Sequence, residues 1–570
     1  MKKSLVIAFA LLALWFSASV KAQEDAPDPY GGVALKVAEP SDSFSAKKVG
    51  NRWTFVTPAG NAFFMLGVMD VDSMSSKMDD GRSYEDILQG KYGTRARWAR
   101  KQLLRLQQWK FNTLAEYSSY YVLAYPNAAA PAADVKLPSI KLFKFSFYSY
   151  TNRSLYTGQE LAPDAVKDLV DCQSPAYTGY RGTDFPDVFD PNFDSYINGM
   201  LKAISKNPGE SGHLKSRWAL GLTADDSDDM FGFGPGPEFP GLDGAIHPHL
   251  GWLALACNPR MTTSQKWHQK YSEPVVHAKA ELISDLKAKY GTIQALNAAW
   301  SSTYSSFESN GGWGTGKGLE DEDGRHVHWL GSTDADLRGA RPAVVRDLDE
   351  YLLKLARRYY KVTSERMRQY APGKLIFSNI TLNGHQGLSR RQVLQAAGEY
   401  VDVINASIRD QKVLDKTAEY AGDKPIVSYD SFVANPDSGL SNSENPKNGG
   451  FNLYNSQRER GEGYAQKLAF LRDAQVTHTG QFPVVGMKLW QYVDNWGEKT
   501  AFGLISGRDN PYDGALTSAP YAETRQYGDF VGAAAAANSA TLARFRIALT
   551  EAPKVKPVQA QNAREAASKP

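Results

Sequence analysis

Short β-rich runs alternate with longer amphipathic segments through most of this 570-residue chain. The segments at 95–108, 276–290 and 344–370 space their apolar residues as helices do. The short runs are Phe111–Leu114, Trp218–Thr223, Leu375–Phe377, Val401–Ile404, Pro425–Val427 and Val484–Met487. Such alternation is typical of βα units, which build parallel sheets. Six or more units in one chain favour a closed (β/α)8 barrel over an open sheet, so we predict a TIM barrel spanning 46–550.

Two additions to the barrel are predicted. Trp53–Val56, the turn at Pro58–Asn61 and Phe63–Val68 have the pattern of an N-terminal β-hairpin. The stretch from about 231 to 340, after the fourth strand, is too long for a plain connection and contains Gly-rich loops. We expect this stretch to be an insertion on the active-site side, because barrels diversify in the loops that follow their strands.

The N-terminus has the pattern of a secretory signal peptide. Lys2 and Lys3 precede an apolar run, and small residues up to Ala22 mark the expected cleavage site. A membrane anchor is the alternative, but the run is short for a span of about 20 residues. We therefore expect residues 1–22 to be removed, a secreted or periplasmic location, and no stable membrane insertion afterwards. Residues 23–45 are expected to be a flexible lead, and 551–570 a disordered tail.

Composition narrows the choice of partners. The net charge is only +3 and the basic residues are dispersed, which argues against a nucleic-acid partner. Aromatic residues make up 12% of the chain, and their flat faces suit sugar rings. Cys172 and Cys257 are the only cysteines. A disulfide between them and two buried free thiols are both consistent with an exported protein.

Polar and aromatic side chains follow the apolar runs. In a barrel these positions meet at the carboxyl-terminal rim, where catalytic groups are found. The candidates are Glu116 after the second strand, Asp225, Asp226 and Asp228 after the fourth, Asn379 and Asn405 after the next two, Asp430 after the seventh, and Trp490, Gln491 and Asp494 after the eighth. Carboxylates, amides and aromatic faces together are what a carbohydrate site requires.

The chain resembles the clan A glycoside hydrolases, in particular the agarase-like family 50 and the β-galactosidase-like family 42. The matching segments, which lie between Trp53 and Tyr512, are RWTFVTPAGNAFFMLGV, WKFNTL, FPDVFDPNF, KYGTIQALNAAWSSTYSSF, SQRERGEGY and VDNWGEKTAFGLISGRDNPYDG. The resemblance implies a barrel enzyme that hydrolyses a β-linked poly- or oligosaccharide, with a carbohydrate as its partner and no organic cofactor.

The chain departs from these families at both catalytic positions. The families carry an Asn-Glu pair after the fourth strand, which falls here on Asp226 and Ser227. Their nucleophile, a Glu ending the seventh strand, corresponds to Asp430. Crowding among the acidic residues would raise a carboxyl pKa, so we expect Asp226 or Asp228 to be the proton donor. Asp430 would then attack the anomeric carbon or activate a water, and an inverting outcome stays open.

Each candidate also has a simpler interpretation. The acidic cluster could be a solvated loop or a calcium site, although its spacing does not fit an EF-hand. Glu116 could form a buried ion pair with a barrel arginine, and Trp490 could be core packing. Asp430 could shape a turn. His247 and His249 have ligand-like spacing, but two histidines alone make a poor metal site, so we predict none.

Two other functions stay open at this level. A barrel of this kind can bind sugar without cleaving it, because a fold does not guarantee the chemistry. A metal-assisted hydrolase is the third possibility.

Overall fold

The barrel expected from the alternating pattern is present. The computed structural model describes residues 26–124, 135–145, 186–226, 277–311, 315–321, 342–380, 391–436, 440, 454–497, 499–514 and 529–551. Three antiparallel strands come first: β1 (Ser45–Val49), β2 (Arg52–Val56) and β3 (Ala62–Phe63). The barrel strands follow as β4 (Met65–Val68), β5 (Thr113–Leu114), β6 (Ser139–Phe143), β7 (Ala219–Ala224), β8 (Leu375–Phe377), β9 (Ile404–Ala406), β10 (Ile426–Ser431) and β11 (Val484–Leu489).

The eight barrel strands are parallel and follow one another around the sheet in chain order. The first strand, β4, pairs with the last, β11. Between β8 and β9 the contact is a single parallel bridge, Phe377 with Val403, in which the Ser378 amide donates to the Val403 carbonyl at 2.9 Å. The sheet therefore closes, and all eight carboxyl ends lie on one rim.

Amphipathic helices cover the outside of the sheet. They are α1 (Tyr84–Tyr92), α2 (Arg95–Gln108), α3 (Tyr120–Leu123), α4 (Phe193–Lys206), α5 (Pro208–Lys215), α6 (His277–Tyr290), α7 (Ile293–Trp300), α8 (Pro342–Tyr370), α9 (Arg391–Tyr400), α10 (Gln411–Ala421), α11 (Gln457–Asp473) and α12 (Phe530–Glu551). In α2 the hydroxyl of Thr94 caps the first turn, while Trp98, Leu103 and Leu106 are buried. Polar residues occupy the opposite face, which explains why sequence periodicity located this helix correctly.

The N-terminal sheet differs in detail from the expected hairpin. Its return strand is short, because Met65–Val68 belongs to the barrel and not to the hairpin. The segment before it is also ordered: Val33 and Phe44 are buried, and the Val33 amide donates to the Ala62 carbonyl at 2.8 Å. The flexible lead therefore does not extend over residues 26–44, since their apolar side chains pack against the sheet.

Sequence reasoning overlooked one barrel strand and shifted another. The third strand, β6, follows a proline and contains Lys141, which obscured its apolar character. Asn405 lies within β9 and not after it. The insertion after the fourth strand contains α6 and α7 in its described part.

Several predictions lie outside the described residues. These are the signal peptide, Asp228, both cysteines, His247, His249 and the tail from 552 onward. Among the residues that are described, no helix is both long and apolar enough to cross a bilayer.

Candidate active site

Asp226 lies at the carboxyl end of the fourth strand and contacts two groups from neighbouring strands. Its Oδ2 accepts a hydrogen bond from the hydroxyl of Tyr117, which follows β5. The Nζ of Lys144, which follows β6, donates to the same hydroxyl at 3.1 Å and lies 3.8 Å from Asp226 Oδ2. Both side chains of this ion pair are partly exposed, so the group faces the barrel mouth.

An aromatic corner adjoins this group. The ring of Trp490, just after β11, meets the ring of Tyr117 edge to face at a centroid distance of 5.8 Å. Lys144 Nζ lies 5.0 Å from the centroid of the same Tyr117 ring. Trp490 is only partly buried, and it packs against a small apolar cluster at this end of the barrel. A partly exposed indole beside carboxylate and cationic groups is suited to stacking on a sugar ring.

Below this layer, a buried ion pair crosses the barrel interior. Lys488 Nζ in β11 donates to Glu116 Oε1 at 2.5 Å and to Asn405 Oδ1 at 2.7 Å, and all three residues are fully buried. Thr223 Oγ1 donates to the same Glu116 oxygen at 2.6 Å. Burial lowers the pKa of Lys488, and the charge of Glu116 opposes that shift. Glu116 therefore lies in a buried ion pair, the simpler of its two interpretations, with a lysine in place of the arginine. Substrate contact by Glu116 stays a prediction.

Asp225 and Asn379, at the ends of neighbouring strands, both contact one tyrosine of helix α8. The hydroxyl of Tyr359, in α8, donates to Asp225 Oδ2 at 2.6 Å and accepts from Asn379 Nδ2 at 2.9 Å. Asp225 is fully buried and has a left-handed backbone, with φ of +54°. With this backbone conformation the two neighbouring carboxylates point in different directions: Asp225 faces α8 and Asp226 faces Tyr117. Substrate contact by Asp225 and Asn379 stays a prediction.

Gln491 and Asp494 lie deeper, behind Trp490. Gln491 is buried and its Nε2 donates to Thr500 Oγ1 at 2.9 Å. The Asp494 carboxylate accepts from the Tyr512 hydroxyl at 2.5 Å, the Gly503 amide at 2.8 Å and Asn435 Nδ2 at 3.2 Å. Desolvation by burial raises the pKa of Asp494 to about 6. The three donors hold Asp494 within the wall, and a role in substrate binding stays a prediction.

The raised pKa of Asp494 makes a measurable contribution to stability. Its folded pKa of about 6 exceeds the unfolded value of about 3.9, so the native state holds the proton more tightly. This contribution is present below about pH 4 and is lost as the pH rises through 6. Between pH 4 and 7.5, wild type should lose about 2 to 3 kcal/mol of unfolding free energy relative to Asp494→Asn. Urea titrations of wild type and Asp494→Asn at both pH values measure this difference, and an equal difference at the two pH values would contradict the prediction.

Asp430 is the penultimate residue of β10, so it lies within the seventh barrel strand, near its carboxyl end, and not after it. The next residue, Ser431, pairs with Leu489 of β11, directly before Trp490. The backbone therefore brings the position of Asp430 to the same rim as Asp226 and Trp490. Among the residues described, no group of three or more His, Cys, Asp or Glu side chains is arranged to hold a metal ion.

Sequence reasoning missed three residues that the structure brings into the site: Tyr117, Lys144 and Lys488. A lysine inside the apolar run VVGMKL is a usable signal, because a charge in a barrel strand requires a buried partner. Lys144 was missed because it directly follows β6, the strand that the sequence pattern did not indicate. Tyr117 stands beside Glu116 in the sequence, but only its left-handed backbone, with φ of +63°, directs its ring toward Asp226.

No family model matches the chain, and no curated protein is similar to it in sequence. Solved structures do match. PfGH50B aligns with a TM-score of 0.59 at 18% identity, over 94% of this chain and 72% of the other. The agarase AgWH50C gives 0.58 at 16% identity, over 93% and 70%. An exo-β-agarase gives 0.60 at 16% identity, over 93% and 70%.

The chain shares the fold of agarases. The resemblance seen in the sequence is thus confirmed at the level of the fold, and the match covers nearly the whole chain. At these identities the alignment shows the fold alone, so the chemistry has to be argued from the side chains of this chain.

Proposed function

We propose that this protein is a secreted glycoside hydrolase that cleaves a β-linked poly- or oligosaccharide. The observation that carries the proposal is the convergence at one barrel rim of Asp226, the strand position of Asp430 and the partly exposed Trp490. Two carboxyl groups that flank a sugar-stacking surface are the minimum that glycoside hydrolysis requires. The agarase fold of the barrel supports the same class of substrate.

In the proposed reaction two carboxyl groups divide the work. One carboxyl from the cluster after the fourth strand, Asp226 or Asp228, gives a proton to the glycosidic oxygen as its bond to the anomeric carbon breaks. Asp430 either bonds to that carbon or takes a proton from the attacking water. Trp490 stacks on the ring, and the amides of Asn379, Asn405 and Gln491, together with Glu116, Asp225 and Asp494, bind hydroxyl groups directly or support those that do.

Location is part of the same proposal. The charged, apolar and small-residue pattern of residues 1–22 would direct the chain out of the cytoplasm, and cleavage would leave Gln23 as the new N-terminus. Sequencing the N-terminus of the mature protein tests this, since a protein that retains Met1 would contradict it.

Release of reducing ends from defined polymers tests the activity. We expect the mature protein to release reducing ends from one member of a panel of agarose, β-galactan, β-glucan and β-mannan. The release should survive dialysis against a chelator, which separates carboxylate chemistry from a metal-assisted hydrolase. No release from any polymer by folded protein would contradict the proposal as stated.

A second candidate function is sugar binding without hydrolysis. Asp226 accepts a hydrogen bond from Tyr117 and lies near the Lys144 ammonium, contacts that stabilise a charged carboxylate and oppose its use as a proton donor. Affinity electrophoresis in the same polymers separates the two functions. Retardation without reducing-end release would favour the binding protein.

A further inference from the structure

A chain of hydrogen bonds with a fixed direction ends on Asp226. Lys144 has only donors, so the Tyr117 oxygen must accept from it. The single proton of the Tyr117 hydroxyl then remains for Asp226 Oδ2, which accepts it. An ionised carboxylate has only acceptors, so it matches the donor that Tyr117 presents to Oδ2. Both hydrogen bonds therefore point the same way, from the Lys144 ammonium to the Tyr117 hydroxyl and from that hydroxyl to the Asp226 carboxylate.

The charges around Asp226 act in the same direction. Lys144 Nζ lies 3.8 Å from Asp226 Oδ2, within the range at which an opposite charge favours ionisation. From β8, the backbone of Ile380 forms a bridge with Asp226, and this neighbour brings no charge. The preceding carboxylate, Asp225, accepts a hydrogen bond instead from Tyr359 of helix α8. From β11 the adjoining side chain is Trp490, which packs on the Tyr117 ring. The described surroundings of Asp226 thus contain the Lys144 cation, which follows β6, and the Tyr117 hydroxyl donor, which follows β5.

We propose that Tyr117 and Lys144 are positioning residues that keep Asp226 ionised in the working site. Asp226 then accepts hydrogen bonds from a sugar hydroxyl or the attacking water, and a different carboxyl group protonates the leaving oxygen. This inference rests on the proposed function for its mechanistic meaning, and it reverses the expectation from crowding. The crowding of acidic residues at positions 225–229 suggested a raised pKa, but a tyrosine and a lysine that are distant in sequence supply the compensating contacts.

A titration of Asp226 in the free protein tests the inference without any turnover. Carbon-13 labelling of aspartate carboxyl groups, with the Asp226→Asn spectrum to assign the signal, gives the midpoint of ionisation. Lys144→Met should move that midpoint to higher pH by about one unit, and Tyr117→Phe should move it in the same direction by less. Lys136→Met is the matched control: it also removes one lysine charge, but before the amino end of β6, and it should leave the midpoint of Asp226 unchanged. A wild-type midpoint near neutrality, or no movement in Lys144→Met, would overturn the proposal.

The pH profile of hydrolysis supplies a second readout. If Asp226 acts ionised, activity is lost below its midpoint, so the acidic limb of kcat/KM should move to higher pH in Lys144→Met. Movement of the alkaline limb instead would show that Asp226 works protonated, which overturns the inference while the proposed hydrolase stands. Absence of turnover in wild type would remove the proposed function, and the carboxyl titration would still decide the charge of Asp226. Tyr117→Phe, which keeps the ring against Trp490, is the milder variant if Lys144→Met folds poorly.

Discussion

Asp430→Asn is expected to reduce hydrolysis by at least about 10³-fold while polymer binding stays intact. The substitution keeps the size of the side chain but removes the charge that would attack the anomeric carbon or activate water. Asp430 is at the carboxyl end of the seventh strand, where its backbone reaches the rim beside Trp490. Reducing-end release under saturating polymer gives kcat, and retardation in affinity gels gives binding.

A matched control exists at the other end of the same strand. Asp423 precedes β10 and is half exposed, where it accepts from Lys48 Nζ and from Trp53 Nε1. Asp423→Asn makes the same chemical change at the amino end of the barrel and should leave kcat within about twofold, because surface substitutions have small effects. If Asp430→Asn retained activity like Asp423→Asn, Asp430 would be a turn residue and the nucleophile or base would have to be sought elsewhere.

The second large effect concerns stability. Lys488→Met is expected to lower the unfolding free energy by about 3 to 5 kcal/mol, because it leaves the Glu116 carboxylate buried without its cation. Glu116 and Lys488 are both fully buried, and Asn405 loses a donor at the same time. Urea denaturation followed by intrinsic fluorescence measures the change, which the many tryptophans of the chain make convenient.

A double-mutant cycle separates the ion pair from the loss of packing. Glu116→Gln combined with Lys488→Met removes both charges, and this double variant should be more stable than Lys488→Met alone. Strictly additive losses would show that the two charges do not interact across the barrel. Hydrolysis by the double variant, measured at a temperature where it is folded, would then test whether Glu116 also contacts substrate.

The sequence by itself determined the architecture. Apolar runs and amphipathic segments show which side of each element is buried. This pattern lies within the element itself, so it can be recognised without knowing which elements pack against it. The helix at Arg95–Gln108 was located to its ends for this reason, since Thr94 caps it and its apolar face repeats regularly. The strand that the sequence missed, β6, has a lysine within it, and its identity as a barrel strand depends on pairing with β5 and β7.

Only the tertiary structure decided which residues share a site and with which charge. Strand ends placed Asp226, Asp430 and Trp490 on one rim, because parallel strands of a barrel all end on the same side. The sequence could not show that Tyr117 and Lys144, 109 and 82 positions before Asp226, supply its donor and its cation. Nor could it pair Glu116 with Lys488, 372 positions apart. The charge state of a carboxyl group depends on whatever lies within a few ångströms, and closure of the barrel sets those distances.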